Sequence, residues 1–193
     1  MTTPQLHVAC ILERYYNLTL EATLQEYGFE GEDVNFIQHA GKTDDVSGIL
    51  TGAEYEWAAQ HISAWRACAA NQAPMLIFQE DVCFSPACTD VLQATKKMAS
   101  SAEQIGEDAR VLFLGAAVPA VPSQAADLGA GGGEVMPARA VTQATAYVMW
   151  PEAARQLLEL MPLDVSVTSF MSKHVEGRRI SALMTSPAVI QPP

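Results

Sequence analysis

The sequence predicts an α/β fold: a single α/β/α domain built around a mostly parallel sheet. Three observations carry that expectation. Met75-Leu76-Ile77-Phe78 runs without a polar break between Pro74 and Gln79, the mark of a strand buried on both faces. Similar short apolar runs at 6–12 and 110–115 alternate with segments of helical period, as in β-α-β chains. Finally, 49% hydrophobic against 17% charged residues over a length of 193 is enough for a sizeable core in one domain.

The elements follow in order. Leu6 to Leu12 reads as a first buried strand. Asn17 is an expected N-cap, Leu20, Leu24 and Tyr27 recur at helical spacing, and Gly28 suits the C′ position, so 17–27 is a helix. Asp33 to His39 is a second strand, and the polar stretch 40–50 a loop. Gly52 to Asn71 is the longest helix, with Ala53, Trp57, Ala58, Ile62, Trp65 and Ala69 as its apolar stripe. The central strand 75–79 comes next. Pro86 opens a helix running to Ala99, with Val91, Leu92, Thr95 and Met98 inward. The strand 110–115 ends at Gly115, where backbone must turn or approach a neighbour closely. Residues 116–133 hold Pro119, Pro122 and the glycine run 129–133, and read as a lid or a surface excursion. Glu134 to Pro137 is a short strand and 144–150 a clearer one. A helix from Pro151 to Met161 stops at Pro162, and a shorter one spans 165–175. Residues 180–185 form a last strand before an extended tail at Val189-Ile190.

Charge narrows the partners. With 22 acidic against 11 basic residues the formal net charge is -11, which argues against nucleic acid or an anionic membrane surface. An anionic nucleotide stays compatible, because a bound divalent ion inverts the local field. No apolar run approaches the ~20 residues of a membrane span, and the first residues lack the pattern of a secretory signal; the expectation is a cytoplasmic protein. Cys10, Cys68, Cys83 and Cys88 match no zinc spacing. Cys10 and Cys68 read as buried thiols. Cys83 and Cys88 are close enough in sequence to pair, though two free thiols suit a reducing compartment better.

The chemistry concentrates where the central strand ends, at Gln79-Glu80-Asp81. Ligands bind at the carboxyl ends of strands in open α/β sheets. Adjacent carboxylates there hold a hard cation such as Mn²⁺ or Mg²⁺, which in turn holds phosphate oxygens. The plainer alternative is a pair of anions near the start of the next helix. The opening β-α-β has no G-x-G-x-x-G turn and so points to no Rossmann-type dinucleotide site. His61, one turn beyond Trp57, is either a core histidine bonded to backbone or a functional group.

Three segments, in this order, resemble glycosyltransferase family 25, the group of lipooligosaccharide glycosyltransferases and collagen galactosyltransferases. Gly52-Ala53-Glu54-Tyr55-Glu56-Trp57-Ala58-Ala59-Gln60-His61-Ile62-Ser63-Ala64-Trp65 resembles the family's G-E-I-G-C-A-L-S-H-x-x-x-W helix. Leu76-Ile77-Phe78-Gln79-Glu80-Asp81-Val82 is similar to its L-I-L-E-D-D-V. Thr145-Ala146-Tyr147-Val148-Met149, followed by a helix with Leu157-Leu158, is similar to its A-Y-I-I-S…A-x-x-L-L. Val111 to Gly115 and Pro187 to Gln191 fit two further strands, and the likeness spans roughly 50–191. Gln79 stands where the family has Glu, Thr168 where it often has Asp, and Glu13-Arg14-Tyr15-Tyr16 where it has a basic cluster.

The resemblance implies an A-type glycosyltransferase fold that binds a nucleotide-sugar with Mn²⁺ or Mg²⁺. It implies transfer of a sugar from a nucleoside-diphosphate donor, expected to be UDP-linked, to a hydroxyl of a glycan or glycoconjugate acceptor, with inversion. On this reading 1–82 is the donor-binding half and 83–193 the acceptor-side half, with 116–133 as a mobile loop. Asp81, with Glu80, holds the metal. Ile11, Leu12, Arg14, Tyr15, His61, Gln79 and Glu80 line the donor pocket, with Tyr15 or Tyr16 stacking on the base. Asp164 is the first choice for the general base that inversion requires, with Glu54 and Glu56 as alternatives. The chain also fits a module of a larger glycan-building enzyme. Two other readings stay open: a carbohydrate-binding or scaffold domain that has lost the chemistry, and a metal-dependent phosphohydrolase.

Overall fold

A computed structural model of the protein describes residues 6–12, 18–29, 34–38, 41–71, 73–100, 109–115, 117–119, 126–127 and 134–191. The chain begins with β1 (His7–Ile11), α1 (Leu18–Glu26), β2 (Val34–Ile37), α2 (Ala53–Ala70) and β3 (Met75–Gln79). It continues through β4 (Cys83–Phe84), α3 (Cys88–Ser100), β5 (Ala109–Phe113), β6 (Ala117–Pro119), β7 (Ala126–Asp127) and β8 (Glu134–Val141). β9 (Ala146–Met149), α4 (Pro151–Leu158), α5 (Val167–Glu176), β10 (Ser181–Ser186) and β11 (Ile190–Gln191) complete it.

The α/β class expected from the sequence is what the structure has. Among the described residues nine strands form one sheet in the order β2-β1-β3-β9-β5-β10-β8-β6, with β7 also paired to β8. β1 is parallel to β2 and β3, and β5 is parallel to β10. β9 runs antiparallel to its neighbours β3 and β5, and β8 runs antiparallel to β10, β6 and β7. The sheet is therefore mixed: β8 and β9 oppose the direction shared by the other strands.

Side-chain alternation sorts the core into two layers. Met75 and Ile77 of β3 pack with Ala9, Ile11, Phe113, Tyr147 and Met149 under α2, α4 and α5. Leu76 and Phe78 face the other way, with Val8, Cys10, Leu112 and Val148, toward Leu24 of α1 and Val91 and Leu92 of α3. All five residues of β3 are buried, as its unbroken apolar run requires.

Local chemistry sets several boundaries. α1 ends in a Schellman motif: Phe29 N–H donates to Leu24 O at 3.0 Å and Gly28 N–H to Gln25 O at 2.9 Å. Gly28 takes the φ of 76° that the motif needs. At the far end of α2, Arg155 of α4 donates to Ala69 O at 3.0 Å, satisfying one of the helix's last carbonyls.

Several expectations are corrected. The apolar stripe of α2 is rotated: Ala53 is exposed and Trp57 half-buried, while Gln60 and His61 are buried. The first turns of α2 stand at the rim of a cavity, so their apolar side chains are not all used in the core. α3 starts at Cys88, two residues after Pro86, and α4 stops at Leu158 rather than Met161. The stretch 116–133 is not wholly loop, since Ala117–Pro119 and Ala126–Asp127 pair with β8. β8 itself runs to Val141, because it has partners along most of its length. The tail is extended as expected, and it is paired: β11 pairs with β4, and Val189 and Ile190 N–H both donate to Leu114 O. Within 40–50, Val46 bridges Leu163, Arg66 pairs with Asp45, and Tyr55 bonds Thr43. Asn17, His39 and most of 116–133 lie outside the described residues, as do the side chains of Leu20 and Met98.

All four cysteines are free thiols; Cys10, Cys68 and Cys88 are buried and Cys83 is exposed. Among the described residues no helix is long and apolar enough to cross a membrane.

Candidate functional site

Sheet topology fixes where a site forms. From β1 the chain goes to β2 on one flank and β3 on the other, making the switch point at which open α/β sheets bind ligands. Because β9 opposes β3, the residues entering β9 arrive at the same edge as the residues leaving β3. Gln79 N–H donates to Thr145 O and Glu80 N–H to Ile11 O, both at 3.0 Å. The Gln79-Glu80-Asp81 turn is thus tied to both neighbouring strands.

A cavity of about 340 Å³ opens above this edge. α2 contributes Glu54, Trp57 and His61, the last residue of β3 contributes Gln79, and the turn after it contributes Asp81. The approach to β9 supplies Gln143, Ala144 and Thr145, and the start of α5 supplies Ser166, Val167 and Thr168. The α5 wall is fastened at three points. Ser166 caps the helix by accepting from Ser169 N–H, Thr168 Oγ1 accepts from Ala144 N–H at 3.2 Å, and Ser172 Oγ accepts from Val141 N–H at 3.0 Å. A smaller hollow beside the cavity is lined by Ile11, Trp57, Gln79, Glu80 and Asp81.

The structure brings Glu54, His61, Gln79 and Asp81 to one cavity, with Ile11 and Glu80 in the adjoining hollow. Leu12 is buried in the core and works through its backbone: its N–H donates to Ile37 O, and its carbonyl accepts from Gln60 Nε2 at 3.0 Å. Asp164 is exposed and lines a different hollow, with Lys173, His174 and Arg179. Arg14, Tyr15 and Tyr16 lie outside the described residues.

Glu54 and Asp81 are both exposed, and no Lys or Arg lines the cavity among the described residues. The lining is otherwise an indole, the apolar side chains of Ala144 and Val167, two carboxamides, hydroxyls and a histidine. Such a surface offers acceptors and neutral donors to a hydroxyl-rich ligand, and an aromatic flank to its C–H face. Among the described residues, an anion entering alone meets two carboxylates and no counter-charge.

His61 is fully buried. Its Nδ1 lies 2.7 Å from the Tyr147 hydroxyl, to which Trp65 Nε1–H donates at 2.9 Å. Burial holds the His61 pKa down to about 3, so the ring is neutral at physiological pH. Burial likewise raises the Tyr147 phenol above its ordinary value. Sequence reasoning missed Tyr147 and Thr145 as site components. The available signal was a phenol in an otherwise apolar strand, since a buried tyrosine normally finds a partner for its hydroxyl. Gln60 was also missed; its amide donates to Leu12 O and, at 2.7 Å, to Gln38 O, joining the ends of β1 and β2.

No three His, Cys, Asp or Glu side chains form a metal-binding group among the described residues. A Mg²⁺ or Mn²⁺ ion that arrives with phosphates needs only one or two protein carboxylates. Asp81 and Glu80, adjacent at a strand end, fit that demand; they do not fit a self-contained metal cage.

No protein-family model matches the chain, and no curated protein matches it in sequence.

Proposed function

We propose that the protein is a metal-dependent glycosyltransferase of the A-type fold, similar to family 25. It moves a sugar from a nucleoside-diphosphate sugar, UDP-linked by the resemblance, to a hydroxyl of a glycan or glycoconjugate, with inversion. The observation that carries this reading is the meeting of Trp57, Glu54, Gln79 and Asp81 around one cavity at the carboxyl edge of β1 and β3. Those residues come from two of the three segments that resemble the family, and the third segment supplies Thr145. Free thiols at all four cysteines suit a cytoplasmic setting.

On this reading Asp81, assisted by Glu80, holds a divalent ion together with the donor diphosphate. When bound, the ion offsets charge on the departing diphosphate. Gln79, neutral and buried, fixes sugar or ribose hydroxyls through its carboxamide. Trp57 flanks the sugar. Glu54 takes the general-base role, because it lines the cavity and Asp164 does not.

Thermal unfolding with a panel of nucleotide-sugars, with and without Mn²⁺, tests the reading. A ligand at a hundredfold excess over its Kd adds about 2.7 kcal/mol, or about 5–11 °C for a chain of this size. Asp81→Ala removes that metal-dependent shift and leaves the unliganded midpoint in place, since Asp81 is exposed on a turn. A donor shift that survives Asp81→Ala refutes the metal assignment. No shift with any donor refutes the transferase.

A further inference from the structure

Two residues that line the cavity, His61 and Thr145, each carry a buried polar atom, Nε2 and Oγ1, that has no hydrogen-bond partner among the described residues. Such groups normally find partners, and leaving one unmade costs about 1–3 kcal/mol. That both belong to residues lining one cavity points to a ligand as the missing partner.

Which proton His61 carries follows from its neighbours. The Tyr147 hydroxyl has one proton to donate and two contacts among the described residues. Trp65 Nε1 is a donor only, so the Tyr147 proton cannot go there. The remaining contact is His61 Nδ1. If it accepts, the Tyr147 proton is bonded, whereas an Nδ1–H would leave the hydroxyl accepting twice with its own proton unbonded among the described residues. Full satisfaction of the buried hydroxyl selects the accepting form. A neutral imidazole that accepts at Nδ1 carries its proton on Nε2. The order Trp65 N–H to Tyr147 O–H to His61 Nδ1 leaves one donor at the end of the chain: Nε2–H.

We infer that His61 is held by Tyr147 and Trp65 as a fixed Nε2–H donor which, with the Thr145 hydroxyl, recognises neutral oxygen atoms of a saccharide in the cavity. In a cavity that Glu54 and Asp81 also line, a neutral donor suits a hydroxyl or ring oxygen better than a phosphate that arrives without its metal ion. The identity of the ligand as a saccharide rests on the transferase reading; the tautomer does not. His61 is then a specificity-determining residue, and Tyr147 and Trp65 are positioning residues that act through it.

Long-range ¹H–¹⁵N correlation spectra of the unmodified protein report which ring nitrogen of each histidine is protonated. The probes are galactose, glucose and N-acetylglucosamine, and their UDP derivatives with Mn²⁺. The expected result is a His61 with bare Nδ1 and protonated Nε2, whose Nε2–H resonance moves with at least one probe. A proton on Nδ1 overturns the inference, as does an Nε2–H that no probe moves. Variants give a second readout. Gln places its amide near the position of Nε2 and Asn near that of Nδ1, so His61→Gln retains saccharide affinity and His61→Asn loses about tenfold. Equal affinity in the two variants counts against the assignment. Turnover of a UDP-sugar with an unmoved Nε2–H sinks this inference alone. A moving Nε2–H without turnover sinks the transferase alone.

Discussion

Tyr147→Phe isolates the buried network because it removes one oxygen and keeps the ring. The ring is fully buried, within 6.0 Å (centroid to centroid) of both Phe113 and His61, so no cavity opens beyond the hydroxyl. Two groups lose their partner: Trp65 Nε1–H, bonded at 2.9 Å, and His61 Nδ1, at 2.7 Å. Each buried orphan costs about 1–3 kcal/mol, partly offset because the hydroxyl itself no longer has to be desolvated. The expected loss is about 2–4 kcal/mol, a fall in Tm of about 4–16 °C for a domain of this size. Tyr55→Phe is the matched control. Its hydroxyl also makes two bonds, accepting from Thr43 N–H at 2.8 Å and donating to Thr43 O at 3.1 Å, but in a half-buried setting. Water replaces those bonds, so the cost is about 0.5–1.5 kcal/mol. Urea unfolding of both variants, with unchanged m-values as the sign of an intact fold, makes the comparison. If Tyr147→Phe costs no more than Tyr55→Phe, the Trp65–Tyr147–His61 chain is not the satisfied buried network described above.

Further outcomes follow from the same geometry. The His61 pKa falls from 6.5 unfolded to about 3 folded, so between those values the unfolded state binds the extra proton. Its contribution to stability is complete above pH 6.5 and declines by up to about 1.4 kcal/mol per unit as pH falls toward 3. Urea midpoints at pH 7, 6, 5 and 4 should drop less steeply in His61→Gln, and parallel curves would count against the burial. Burial pushes the Cys68 and Cys88 thiols up to about 12 and raises Cys10 as well. Iodoacetamide on the native protein should therefore label Cys83, while the other three wait for denaturant; mass spectrometry reads the sites directly. In Gly115→Ala the new methyl would lie 3.1 Å from Thr145 Oγ1 and 3.3 Å from Ile190 O. The hydroxyl can turn but the carbonyl is pinned, so the expected loss is about 1–2 kcal/mol, seen as a lower Tm.

Much of the fold was legible because burial writes itself into composition. β3, with no polar residue before Gln79, had to be covered on both faces, and it is. Gly28 and Gly115 each had a physical reason to be glycine, a positive φ in one case and close neighbours in the other. The sheet edge was not legible. β6 and β7 are three and two residues long, too short for any period to register, and they exist only because β8 offers backbone partners. The orientation of β9 was equally hidden. Its residues read the same in either direction, and only the pairing with β3 and β5 decides.

That reversal explains why the site was only half visible. Gln79, Glu80 and Asp81 advertise themselves as polar residues following an apolar run. Thr145 and Tyr147 carry no such signal, and reach the site because β9 enters the sheet from the edge where β3 leaves it. His61 was ambiguous for the same reason. On its own helix it is a histidine beside an apolar stripe, and either a core role or a functional one fits. Tyr147 makes it both: Nδ1 is satisfied inside the core, and Nε2 is left without a partner in a residue that lines the cavity. Exchanging its two nitrogens would bond Nε2 to Tyr147 and aim Nδ1 elsewhere, so an imidazole at this position is constrained by packing and ligand geometry at once. Substitutions tolerated by the core alone, such as His61→Leu, should therefore separate the two demands. The Tm should fall by no more than the cost of one stranded buried hydroxyl, that of Tyr147, about 1–3 kcal/mol, because a leucine itself needs no hydrogen bond. Saccharide affinity should fall as far as in His61→Asn. A large loss of Tm with unchanged affinity would mean that His61 serves the core only.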